Sequence, residues 1–199
     1  MQSGEEHAWD LLGRLPQQDV CRRALASYDH LKNRFSLPLL SQDIIVDTKS
    51  RQLAGASAEA DALLERVADY ATLSVLWYLI GARPVPLTGR LVKPGDMGSG
   101  EFFDRGTHVL PLQRIARRYG DNIEGFLAAG RCLGGEPQEY ADASLRLPVF
   151  PRVPVVLLLW ARDPEFAARA NLLFDSSVRF HMPVDVIWST AMMALLAML

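Results

Sequence analysis

The sequence predicts an α+β fold: an antiparallel sheet, made of a C-terminal three-strand meander plus an N-terminal strand pair, with helices packed mainly on one face. Three observations carry this. Residues 142–175 read as three consecutive strands joined by short links. Two apolar runs, Leu37-Pro38-Leu39-Leu40 and Ile44-Ile45-Val46, flank the turn residues Ser41-Gln42-Asp43 and suit a hairpin. Helical and strand-like segments are grouped rather than alternating, the order of an α+β protein rather than of a parallel βαβ sheet.

The meander is the clearest element. Ala143, Leu145, Leu147 and Val149 alternate with Ser144, Arg146 and Pro148, the period of a half-buried strand. Pro148 lacks an N–H, which suits a sheet edge or a strand end. Residues 155–160, Val-Val-Leu-Leu-Leu-Trp, have no polar face and fit a strand covered on both sides. Ala170, Leu172 and Phe174 alternate with Arg169, Asn171 and Asp175 in a third, half-exposed strand. The links 150–152 and 161–167 are too short for parallel crossovers, so the strands are antiparallel neighbours with the apolar one in the centre.

The other elements follow in chain order. Residues 5–12 and 17–32 read as helices, with Pro16 opening the second and Val20, Ala24, Tyr28 and Leu31 on one side of it. Ser57 is suited to cap one long helix ending at Gly81, with Glu59 and Asp61 in its first turn and Leu63, Val67, Ala71 and Val75 as its buried stripe. Residues 83–100 are rich in proline and glycine and read as an irregular connection with one short strand near 90–93. Residues 101–108 and 111–119 read as helices. The second buries Leu112, Ile115, Ala116 and Tyr119 and exposes Arg114, Arg117 and Arg118. Asp121 and Glu124 have capping-box spacing ahead of a helix over 123–133, which Gly134-Gly135 closes. Residues 183–199 form a last helix with little polar cover, suited to the core with part of it in a homodimer contact.

Composition narrows the class. The 199 residues suit a single domain over 1–199, with 49% hydrophobic and 22% charged residues, the balance of an ordinary globular protein. A net charge of −2 gives no reason to expect nucleic acid as a partner. Cys21 and Cys132 stand far apart and outside any CxxC motif, so neither a disulfide framework nor a metal site is expected. The polar, acidic N-terminus is not a secretory signal, and the apolar tail is short for a membrane span, so a cytoplasmic protein is expected.

No complete catalytic or ligand motif occurs. The loop 94–100 precedes a helix whose N–H groups can hold an anion, with Lys93 and Arg105 adding charge. It matches neither GxxxxGK[ST] nor GxGxxG, and its plain reading is a loop in which Ser99 caps the helix. His108 and His181 carry the imidazoles suited to titrate near neutral pH. Asp175 is close enough in sequence to orient His181, against a plain structural bond in the turn. Arg152, between Pro151 and Val153-Pro154, suits either a carboxylate or phosphate contact or an exposed turn. The arginine face of the 111–119 helix reads first as a solvated surface. Asp163-Pro164-Glu165-Phe166 reads as a turn that docks Phe166 on the core, and Ser144, Ser176 and Ser177 lack a nucleophile elbow.

Residues 95–120 and 142–177, with the turn Pro151-Arg152-Val153-Pro154, Trp160, Glu165-Phe166 and Phe174-Asp175, resemble a bacterial and archaeal domain family labelled as a domain of unknown function. Some members of that family are joined to a four-cysteine segment like that of corrinoid iron–sulphur proteins. The resemblance implies anaerobic redox or one-carbon metabolism, and it carries over no catalytic residues. This chain lacks the cysteine cluster. Two functions therefore stand as expectations. One is a non-catalytic module binding a small ligand, an unknown cofactor or a redox partner protein through Lys93, Ser99, Arg105, His108, Arg152, Asp175 and His181. The other is an enzyme with an acid/base site at His108 or at Asp175 and His181.

Overall fold

The α+β class holds in the computed structural model, which describes residues 4–96 and 109–199, but the strand pair and the meander expected in one antiparallel sheet belong to two separate ones. After α1 (Gly4–Arg14) and α2 (Gln17–Ala24), the chain enters a four-stranded meander. Its strands are β1 (Ser27–Asp29), β2 (Arg34–Leu39), β3 (Gln42–Asp47) and β4 (Gln52–Gly55). The hairpin expected from residues 37–46 is the β2–β3 pair, turned by Leu40 and Ser41 at φ 49° and 62°. Two successive positive φ values match the strand twist of a two-residue hairpin, although neither residue is glycine.

The helix expected over 17–32 is shorter. Leu25 takes a left-handed conformation at φ 55°, its N–H reaches the Cys21 carbonyl, and the chain leaves as β1. Tyr28 pairs opposite Phe35, and Leu31 is exposed in the following turn. The apolar spacing of Val20, Ala24, Tyr28 and Leu31 thus combined a real helix face with a strand residue and a turn residue.

Ser57 does cap α3 (Ala58–Arg66), accepting from the Ala60 N–H. The expected single long helix is broken at Val67, after which α4 (Ala68–Gly81) continues. Val67 stays fully buried, so the apolar stripe continues across the break. β5 (Leu91–Val92) is the short strand anticipated near 90–93, followed by a 3₁₀ turn (Pro94–Asp96). The helix expected over 101–108 lies outside the described residues. α5 (Leu112–Tyr119) buries Ile115, Ala116 and Tyr119 and exposes its three arginines. Asn122, not Asp121, caps α6 (Ile123–Cys132), accepting from the Gly125 N–H at 2.8 Å. Asn122 immediately precedes the first helical residue, so its side-chain oxygen is the one placed to reach the first-turn donor.

The second sheet runs β5-β9-β8-β7-β6, with β6 (Glu136–Gln138), β7 (Ala143–Phe150), β8 (Val153–Trp160) and β9 (Arg169–Asp175). β8 is central, as its unbroken apolar run requires, and only Trp160 at its end is less than fully buried. Pro148 sits where the β7–β8 register shifts, beyond the β6 pairing, so its missing N–H leaves no gap in the ladder. Its carbonyl and that of Val149 both accept from the Leu40 N–H, at 3.1 and 3.2 Å, which fastens the first sheet's hairpin turn to the second sheet.

α7 (Val184–Ala197) lies against α4, and α4 also packs on α1 and α2. α7 is buried almost all round. Thr190 and Ser189 are tolerated there because their hydroxyls bond back to the Val186 and Asp185 carbonyls, at 2.9 and 3.3 Å. One apolar core runs from α1 through both sheets to α7.

Candidate functional site

The irregular connection after α4 is where the named candidates converge. Asp175 ends β9 and caps a 3₁₀ turn (Ser176–Phe180). Its Oδ1 accepts from the Thr88 N–H at 3.0 Å, the Thr88 hydroxyl at 2.9 Å and the Ser177 N–H at 2.9 Å. Its Oδ2 accepts from the Gly89 N–H at 2.8 Å. Burial alone would raise this carboxyl, but the donors from Ser177 and Thr88 outweigh it and hold the group at about 2. Asp175 is therefore an anchor for the 83–90 connection rather than an orienter of His181.

His181 follows the 3₁₀ turn and is 1% exposed. Its Nδ1 accepts from the Arg83 N–H at 3.3 Å, which places the proton on Nε2, and Nε2 has no hydrogen-bond partner. Burial first, then the positive charges of Arg152 and Arg83, push the imidazole down to about 4, against a pull from Asp175 in the other direction. The ring is neutral at physiological pH and closed off from solvent. Glycine is required beside it: a Cβ on Gly81 would lie 2.4 Å from the His181 carbonyl oxygen.

Arg152 is strapped to the core. Its N–H donates to the Tyr78 hydroxyl at 3.2 Å, and its Nε donates to the Arg23 carbonyl at 2.6 Å. The Tyr78 hydroxyl in turn donates to the Ala24 carbonyl at 3.0 Å, and its ring stacks on Phe150 with centroids 4.5 Å apart. Arg23 caps the end of α4 by donating to the Ile80 and Ala82 carbonyls. Arg152, Asp175 and His181 thus share one neighbourhood, and each has backbone partners there.

Lys93 stands apart from that junction. It lines a cleft of about 350 Å³ with Asp96, Asn171 and Leu172 and with Val109, Leu110 and Leu112 before and within α5. The Asn171 side-chain oxygen accepts from the Leu172 N–H at 2.9 Å, leaving its amide nitrogen as a donor. Ser99, Arg105 and His108 lie outside the described residues.

Sequence reasoning missed several parts. Thr88 and Gly89 carried no signal until Asp175 was seen to face them. Phe166 was expected on the core but is 69% exposed, because Asp163 folds the turn on itself: its Oδ1 accepts from the Glu165 and Phe166 N–H groups. Trp160 and Arg169 are opposed in the β8–β9 ladder, which only the strand register reveals. Cys21 is half-buried and Cys132 exposed, and both are free thiols. Among the described residues no three His, Cys, Asp or Glu side chains gather as a metal site, and no helix is long and apolar enough to cross a membrane.

Residues 17–196 match the family model for a domain of unknown function (DUF3786). No curated protein and no solved structure matches the chain.

Proposed function

The chain belongs to that family of unknown function, and we propose that it is a non-catalytic module which binds a small ligand or cofactor in the Lys93 cleft. The cleft between β5, β9 and the start of α5 carries this reading, because it offers Lys93 and Asn171 as donors and Asp96 as an acceptor. That set suits a ligand with both an anionic and a donor group. The anaerobic redox or one-carbon metabolism that the family resemblance implies supports a corrinoid-linked cofactor, or a redox partner protein presenting one, in the cytoplasm. The state of Asp175 and His181 supports binding over catalysis: one is saturated with donors, and the other is a buried, neutral imidazole.

The test is a thermal-shift and calorimetric panel of corrinoids, folates and flavins on protein purified without oxygen. One class should raise the melting temperature, and Lys93→Ala should weaken it by about tenfold, the scale of one charge-assisted hydrogen bond. Turnover by the purified protein that Lys93→Ala leaves untouched and His181→Gln removes would replace this reading with the acid/base one.

A further inference from the structure

Two clefts open along the β8–β9 connection, residues 161–168, and share Ala167 in their walls. The first, of about 490 Å³, is lined by Trp160, Phe166 and Arg169 and by the carboxylates of Asp142 and Asp163. The Arg169 guanidinium lies 4.4 Å from the centre of a Trp160 ring. Phe166 stands out from a turn that is held by its own hydrogen bonds, including Asp163 N–H to the Phe166 carbonyl at 3.1 Å. Phenyl rings and guanidinium planes both stack on heteroaromatic rings.

The carboxylates set which ring edge fits. Asp142 commits Oδ2 to the Ala161 N–H, and Asp163 commits Oδ1 to its turn. The second oxygen of each has no hydrogen-bond partner among the described residues. An ionised carboxylate can only accept, so the edge facing it must donate. A guanine edge sets a ring N–H beside an amino group, so both groups facing the free oxygens donate, whereas the same edge of adenine pairs one amino group with a ring nitrogen that can only accept.

The second cleft, of about 320 Å³, has the opposite charge. It is lined by Gln113, Arg117 and Arg162. Arg117 makes no ion pair among the described residues. Arg162 meets Asp121 at 3.4 Å, with both side chains more than half exposed, a pairing that water and salt weaken. Arginines in this state suit phosphate oxygens.

We propose that the two clefts form one site for a guanine nucleotide. The base stacks between Phe166 and Arg169 with its edge on Asp142 or Asp163, and the phosphates cross Ala167 to Arg117 and Arg162. Carboxylates at one end and arginines at the other fix the ligand's direction, since the acidic end repels phosphate. This site is separate from the Lys93 cleft and does not depend on its ligand.

Calorimetry of the full chain with GDP, guanosine, inorganic pyrophosphate and ADP tests it. GDP should bind saturably, and each of the other three should bind about tenfold or more weakly. Phe166→Ala and Arg117→Ala should each weaken GDP by about tenfold with the melting temperature unchanged, since both side chains are exposed. Lys93→Ala should leave GDP binding as it is. The proposal is overturned by any of four results: no saturable binding of GDP, guanosine, pyrophosphate or ADP binding as well as GDP, folded Phe166→Ala and Arg117→Ala proteins that bind GDP like the parent, or loss of GDP binding in Lys93→Ala.

Discussion

His181 and Asp175 are the residues through which folding changes protonation below neutral pH by the largest amounts, and they do so in separate pH windows. His181 falls from 6.5 to about 4 on folding, so between those values the unfolded chain holds a proton that the folded one does not. Its contribution is complete above pH 6.5 and is lost as pH falls towards 4, by roughly 3 kcal/mol in all. Urea unfolding at a series of pH values should show this slope, and His181→Gln should flatten it even if the variant is less stable throughout. An unchanged slope in the variant would assign the acid sensitivity elsewhere. Asp175, lowered from 3.8 to about 2, adds a second loss of about 2 kcal/mol below pH 3.8, which Asp175→Asn should remove. That these two residues lie in one neighbourhood was legible from their nearness in sequence. Their roles were not, because three of the four donors that saturate Asp175 come from the distant Thr88 and Gly89.

At the scale of elements, α5 and β9 form the seam along which the Lys93 cleft and the arginine cleft open. Leu112 stands near Asn171 and Leu172 at one end, and Gly120 meets Ala168 at the other, so the helix runs antiparallel to the strand. A Cβ on Gly120 would lie 2.2 Å from the Ala168 Cβ and 2.6 Å from the Ala116 carbonyl oxygen, neither of which can swing aside. Gly120→Ala should therefore cost about 1–3 kcal/mol in urea unfolding, as overpacking does, and lift α5 from β9. Unaltered stability would mean that the seam is loose. Periodicity located α5, β7, β8 and β9, since each has a long enough apolar face to read. It did not locate β1, β4 or β6: strands of three or four residues are too short to show a period and exist because a longer neighbour offers them a ladder.

Across the molecule, the Leu40 junction fastens the two sheets together and α7 packs on β7 and α4. Leu195 is fully buried in α7, and Leu195→Ala should cost about 2–5 kcal/mol through lost burial and the cavity left behind. We expect circular dichroism and tryptophan fluorescence to report a single coincident unfolding transition, because Trp9 in α1 and Trp188 in α7 belong to elements that both pack on α4. Two separated transitions would mean that the sheets unfold independently. The α+β class, the meander with its apolar strand in the centre and the β2–β3 hairpin were determined by the sequence itself, because alternation and run length are local properties of a chain. Only the tertiary structure decided that Asp175 clamps a distant loop, that His181 is closed off, and that Trp160 meets Arg169 beside an exposed Phe166. Those facts depend on register and on how remote segments cross, and neither is written in the spacing of neighbouring residues.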